Sequence, residues 1–111
     1  MTYLGLDIGT SGVKAVLIDG EGSALGEASA PLSVSRPRPG FSEQDPAHWW
    51  DAVLNAVDAL KERYPDLVSA IRGIGLSGQM HGATLLDRDN QVIRPAILWN
   101  DVRSAAECAE M

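Results

Sequence analysis

Apolar residues fall in short runs along the first third of the chain and then change to a helical period. Residues 3–8, Tyr-Leu-Gly-Leu-Asp-Ile, predict a short and mostly buried strand. Residues 13–19, Val-Lys-Ala-Val-Leu-Ile-Asp, predict a second. The connection Gly9-Thr10-Ser11-Gly12 is short and carries turn residues, so the two strands should form an antiparallel hairpin. Asp19-Gly20-Glu21-Gly22 is another turn, and a third strand is expected over 23–33, diluted by alanine and serine. Two prolines and a glycine mark 34–44 as a loop.

Asp45-Pro46 then opens a helix, because Asp45 can cap free amides and Pro46 costs no hydrogen bond at the first helical position. Trp50, Val53, Leu54, Val57, Leu60 and Tyr64 recur at helical spacing and define its expected apolar face, with Trp50 in the core. Pro65 should end it. Residues 71–77 predict a buried strand, followed by the glycine-bounded loop Gly78–Gly82. Residues 83–87 and 91–93 flank a turn at Arg88-Asp89-Asn90 and suggest a second hairpin. A short apolar stretch at 96–99 precedes a helix expected from Asp101. No repeat, low-complexity segment or linker divides the chain, so the pattern describes a single α/β domain.

Composition narrows the class. A chain of 111 residues with 45% hydrophobic and 22% charged residues is ordinary globular protein, able to bury one core. A formal net charge of -6 argues against sequence-independent nucleic-acid binding, which needs clustered Lys and Arg. One cysteine, Cys108, permits no intrachain disulfide and reads as structural. His48 and His81 are too few and too far apart for an ordinary zinc pattern. The N-terminus lacks secretory-signal character and no run approaches the length of a membrane helix, so a soluble, cytoplasmic protein without a membrane partner is expected.

Three segments carry candidate chemistry. In Asp7-Ile8-Gly9-Thr10-Ser11-Gly12-Val13-Lys14 a strand delivers a carboxylate into a loop of small residues. Its backbone N–H groups can form a nest for phosphate oxygens, Thr10 and Ser11 add hydroxyls, Lys14 adds a cation, and Asp7 can hold Mg²⁺. The same residues would equally make a plain hairpin turn. In Gly78-Gln79-Met80-His81-Gly82, Gln79 and His81 can hydrogen-bond the hydroxyls of a polyol or sugar, and Met80 offers an adaptable apolar contact. A glycine-flanked loop with no ligand has the same composition. In Trp99-Asn100-Asp101-Val102-Arg103, Trp99 can wall a pocket and Asp101 and Arg103 can pair or bind hydroxyls. Alternatively Trp99 joins the core and Asp101 caps the last helix. Trp49 is placed on the helix or under the 34–44 loop.

Taken in order, these motifs, together with Ser42-Glu43-Gln44-Asp45-Pro46-x-x-Trp49-Trp50, resemble the N-terminal part of the FGGY carbohydrate kinases, and within that family the xylulose kinases. In glycerol kinases of the family the loop matching Met80-His81 carries an Arg-Glu pair. The resemblance implies a ribonuclease-H-like, actin-like ATPase fold and transfer of phosphate from ATP, with Mg²⁺, to D-xylulose. It implies that Thr10, Ser11, Gly12 and Lys14 face the phosphates and Asp7 the metal. Met80 and His81 would contact the sugar, with Gln79, Trp99, Asp101 and Arg103 in or behind the pocket wall. It leaves a homodimer open, and other ketoses or polyols such as ribulose or glycerol as substrates. Members of the family are several times longer, with the catalytic base and adenosine site downstream. The expectation is therefore an incomplete N-terminal domain, inactive alone, with a stand-alone sugar-binding module as the alternative.

Overall fold

A computed structural model describes residues 1–111. Four strands form one sheet, in the order β3 (Ala24–Pro31), β2 (Gly12–Ile18), β1 (Thr2–Ile8) and β5 (Ile71–Gly78). The hairpin is as expected: β1 pairs antiparallel with β2, and β2 antiparallel with β3. Between β3 and β5 the chain crosses over through α1 (Pro46–Arg63) and α2 (Pro65–Ser69), which brings β5 in parallel to β1. The sheet is thus mixed. A second, two-stranded ladder joins β4 (Glu43–Gln44) to β6 (Ala96–Ile97), so the segment expected as a plain loop ends in a strand. A last helix, α3, spans Ala105–Glu110.

Helix α1 covers one face of the sheet. Asp45 caps it, its Oδ1 accepting from the Ala47 amide at 2.9 Å, and Pro46 opens it. Leu4 and Leu6 of β1, Val13, Ala15 and Leu17 of β2, and Ala28 and Ala30 of β3 meet Ala52, Val53, Ala56 and Leu60 of α1. The buried stripe is therefore rotated toward the alanines. Trp50, expected in the core, is 63% exposed, and Leu54 is also exposed. The reason lies in the sheet: a floor of alanines leaves room for a close-packed helix face and none for an indole. Pro65 ends α1 but at once starts α2, since proline suits a first helical turn.

Three other expectations change. The strand over 71–77 exists, but Ile74 and Leu76 are 62% and 74% exposed. They share a face with Leu4 and Leu6, their register partners, yet α1 lies over β2 and β3 and leaves β5 uncovered. The second hairpin reduces to a single bridge, Leu86 to Val92, with the turn held by Asp87 Oδ1 accepting from the amides of Asp89 and Gln91. The last helix starts at Ala105, not at Asp101, and Cys108 on it is exposed. No helix is long and apolar enough to cross a membrane.

Candidate functional site

Parallel pairing of β1 and β5 sets Ile8 opposite Gly78, so the loops leaving both strands emerge side by side. The Gln79 amide donates to the Ile8 carbonyl at 3.0 Å and extends the ladder by one step. Carboxyl ends of adjacent parallel strands are where open α/β sheets place ligands. Two cavities of unlike chemistry lie there, one on each side of the β1–β2 loop.

The first, about 290 Å³, is lined by Ile8, Trp49, Gly78, Gln79, His81, Gly82 and Thr84. Its volume is at the small end of ligand sites. His81 sits in it at φ 59, a left-handed conformation uncommon for a residue with a side chain. Such strain persists only where the surroundings impose it, and it turns the chain sharply between Met80 and Gly82. Met80 is 69% exposed and does not line this cavity. Trp49, left open between helix and loop on the sequence alone, is a wall.

The second cavity, about 380 Å³, is lined by Asp7, Ser11, Gly12, Val13, Lys14, Ser29, Ala30 and Pro31. Asp7, Lys14 and Ser29 are register partners across three strands, on the sheet face away from α1. Lys14 pairs with Glu27 at 3.2 Å, with both side chains well exposed. An exposed pair of this kind is weak and can yield to an anionic ligand. The amides of Thr10 and Ser11 have no intramolecular acceptor, while the Gly9 amide is taken by the Gly12 carbonyl at 2.9 Å. The need for glycine at position 12 is internal: a Cβ there would stand 2.9 Å from the Ala30 carbonyl oxygen. No group of three or more His, Cys, Asp or Glu gathers as a metal cage.

Between the cavities runs a hydrogen-bonded wall. Thr10, expected to face phosphate, turns its hydroxyl toward Gln79 Oε1 at 3.3 Å and accepts from Trp99 Nε1 at 3.2 Å. Trp99 is neither in the core nor lining the first cavity; it is 58% exposed against this loop. Gln44, on β4, binds the Thr10 carbonyl, Trp49 Nε1 and Gln79 Nε2. Its buried amide was not singled out by sequence, although its place two residues before a proline-led helix fixed it close to Trp49.

Asp101 and Arg103 stand behind this wall and line neither cavity. Arg103 donates to both oxygens of Asp101 and to Glu43 Oε2, and stacks 3.9 Å over the Phe41 ring. Arg94 also pairs with Glu43. Asp101 accepts from the Ser42 amide at 2.7 Å, so it clamps β4 instead of capping α3. The bond from Arg103 holds both the Asp101 and Glu43 carboxyls below the usual carboxylate range, and Asp101 in turn holds the guanidinium above its ordinary value.

Residues 2–111 match the FGGY family of carbohydrate kinases, N-terminal domain. The chain is 53% identical over 106 residues to the xylulose kinase of Klebsiella pneumoniae, covering 96% of this chain and 22% of that protein. It is 49% identical over 106 residues to the xylulose kinase of Escherichia coli (strain K12), with the same two coverages. The crystal structure of a xyloylose kinase from Brucella ovis superposes with a TM-score of 0.97 at 61% identity, covering 99% of this chain and 23% of that one. This chain therefore spans about a fifth of the length of these relatives. The mixed sheet with its flanking helices is the actin-like ATPase fold of those kinases. On the match along 2–111 and on these identities, the chain belongs to the FGGY family of carbohydrate kinases.

Proposed function

We propose that the protein carrying this chain is an ATP-dependent kinase that converts D-xylulose to D-xylulose 5-phosphate. The chain supplies its sugar cavity and its phosphate-facing loop. One observation carries the reading: a small, mostly apolar cavity carrying the polar side chains of Gln79, His81 and Thr84, and a more polar cavity at Ser11, Asp7 and Lys14, lie on either side of one hairpin loop whose Thr10 and Ser11 amides have no intramolecular acceptor. The identity to xylulose kinases supports the choice of sugar.

In this reading Gln79 and His81 bind sugar hydroxyls, and Trp49 supplies the apolar wall beneath the carbon chain. Met80 stands at the rim, placed to be covered when sugar arrives. The Thr10 and Ser11 amides, Gly12 and Lys14 face the phosphates, and Asp7 faces the metal. The residues fit MgATP: the Thr10 and Ser11 amides, without intramolecular acceptors, would take an anion, and the single carboxylate of Asp7 would suit Mg²⁺, which needs few protein ligands. When bound, MgATP supplies the phosphoryl group and the charge that neutralises it. The chain's own part is orientation and charge stabilisation, which suffice for much of phosphoryl transfer. Gln79 and His81 hold the hydroxyl-bearing carbons, the loop amides and Lys14 hold the anionic end, and the wall between them fixes the separation. Asp101 and Arg103 hold β4 in place behind that wall. The base that takes the hydroxyl proton, and the adenosine site, belong to a further part of the protein. We place the enzyme in the cytoplasm, with its supply of ATP.

The test is ADP release from MgATP, dependent on D-xylulose, run on the product of the complete reading frame and on the 111-residue chain. Activity in the longer product alone is expected. Silence in both with D-xylulose, or turnover with D-ribulose or glycerol instead, rejects the assignment of substrate.

A further inference from the structure

Gln44 lines neither cavity, yet its side chain is the junction between them. The residue is 3% exposed. Its Nε2 donates to the Thr10 carbonyl at 2.6 Å and the Ser33 carbonyl at 3.3 Å. Its Oε1 accepts from Trp49 Nε1 at 2.9 Å and Gln79 Nε2 at 3.1 Å. Two donors and two lone pairs are the full capacity of a carboxamide, so none is left over. Carbonyls only accept and an indole N–H only donates. The amide therefore has one orientation and cannot be flipped.

That orientation propagates. With Gln44 Oε1 fixed, Gln79 must turn its Nε2 toward it and its Oε1 toward Thr10. The Thr10 hydroxyl then donates to Gln79 and receives the Trp99 N–H. Thr10, Gln79 and Gln44 form a closed ring, hydroxyl to amide to amide to the Thr10 carbonyl. Gln79 thus enters the first cavity with one N–H and one lone pair still unused, aimed by a residue the ligand never touches. Building on the sugar-kinase reading above, we propose that Gln44 is a positioning residue. It sets the donor–acceptor face that Gln79 presents to the sugar and ties the sugar cavity to the phosphate-side loop at Thr10.

Chemistry restricts position 44 to an amide of this length. Glutamate has the same shape but sets acceptors against two carbonyl oxygens. Methionine fills the space and leaves Trp49, Gln79 and two carbonyls without partners.

The experiment measures D-xylulose affinity without nucleotide, by calorimetry on the product of the complete reading frame. Gln44→Met and Gln44→Glu should weaken the Kd about tenfold, as for one lost hydrogen bond in a desolvated site. Gln79→Ala should cost about the same, and the double variant Gln44→Met, Gln79→Ala no more than either alone, because both break one unit. An unchanged Kd in a folded Gln44 variant overturns the proposal, as does a double variant whose loss is the product of the two single losses. If the Gln44 variants do not fold, the wild-type side-chain amide signals decide: those of Gln44 should be protected from solvent and shift on addition of D-xylulose, and a Gln44 signal that stays still refutes the coupling. A wild-type protein that binds no ketose removes the sugar reading itself, and the positioning role with it. Sugar binding that ignores Gln44 removes the positioning role alone.

Discussion

At position 81 a histidine holds a left-handed backbone conformation inside a cavity, a costly placement for a side chain that only decorates a loop. In the complete protein, His81→Ala should raise the D-xylulose KM about tenfold, the worth of a hydrogen bond to a bound hydroxyl, with little change in the KM for MgATP. Steady-state kinetics with each substrate varied in turn would show it, and an unchanged sugar KM would reject a sugar contact by His81. Asp7 stands on the other side of the partition, beside Lys14 and Ser29. On the proposed assignment of Asp7 to the metal, Asp7→Ala should lower kcat roughly a hundredfold while sparing sugar affinity, because that role acts on charge that develops during transfer. Near-normal turnover would count against the metal assignment. That both loops would border cavities was legible in the sequence, since Gly-bounded loops with polar residues announce themselves. Less legible was how Thr10 would point. Its hydroxyl is drawn to Gln79 and Trp99, and both partners lie about seventy or more positions away along the chain.

Among the elements, the hairpin, the third strand and the capped helix were readable because their signals are local: alternation, turn residues, and Asp45-Pro46. The buried face of α1 was not, because it depends on what lies opposite. The sheet offers Ala15, Ala28 and Ala30, and the helix answers with Ala52 and Ala56 where period counting favoured Trp50 and Leu54. Leu60 is the large anchor of that face and is fully buried, so Leu60→Ala should cost roughly 2–5 kcal/mol of stability, read by denaturant unfolding. The short ladder of β4 and β6 was also hidden, since two residues carry no period. It is held by Arg103, Asp101, Glu43 and Arg94. Folding lowers the pKa of Glu43 and Asp101 from ordinary values of 4.5 and 3.8, so the folded chain binds fewer protons than the unfolded one in that range. Their contribution is complete above those values and is lost as the pH falls through and below them. The denaturation midpoint should therefore hold steady near neutrality and decline below about pH 4.5, and Arg103→Leu should lower the plateau and flatten the decline. A variant with the wild-type acid profile would show that the network does not couple to folding.

For the whole molecule, size and shape disagree. A compact chain of this length has a radius of gyration of about 13 Å, whereas this one measures 17.0 Å with a long axis of 53 Å. The excess comes from residues 79–111, where only Ala96 and Leu98 are buried. That stretch has no core of its own and is fastened to the sheet domain through β4, the arginine network and Trp99. Meanwhile β5 is an edge strand with a free side, and on the α1 face of the sheet it shows Ile74 and Leu76 to solvent. Unpaired edges and contiguous apolar surface both promote association. The 111-residue chain in isolation should therefore self-associate in a concentration-dependent way. The double substitution Ile74→Lys, Leu76→Glu should shift it toward monomer, because charges on an edge strand oppose strand addition and remove the apolar face together. Sedimentation velocity across a range of concentrations reads the outcome. If the wild-type chain stays monomeric at high concentration, the uncovered face does not govern its association. If both chains associate alike, the contact lies elsewhere, and the exposed residues of 79–111 become the surface to map.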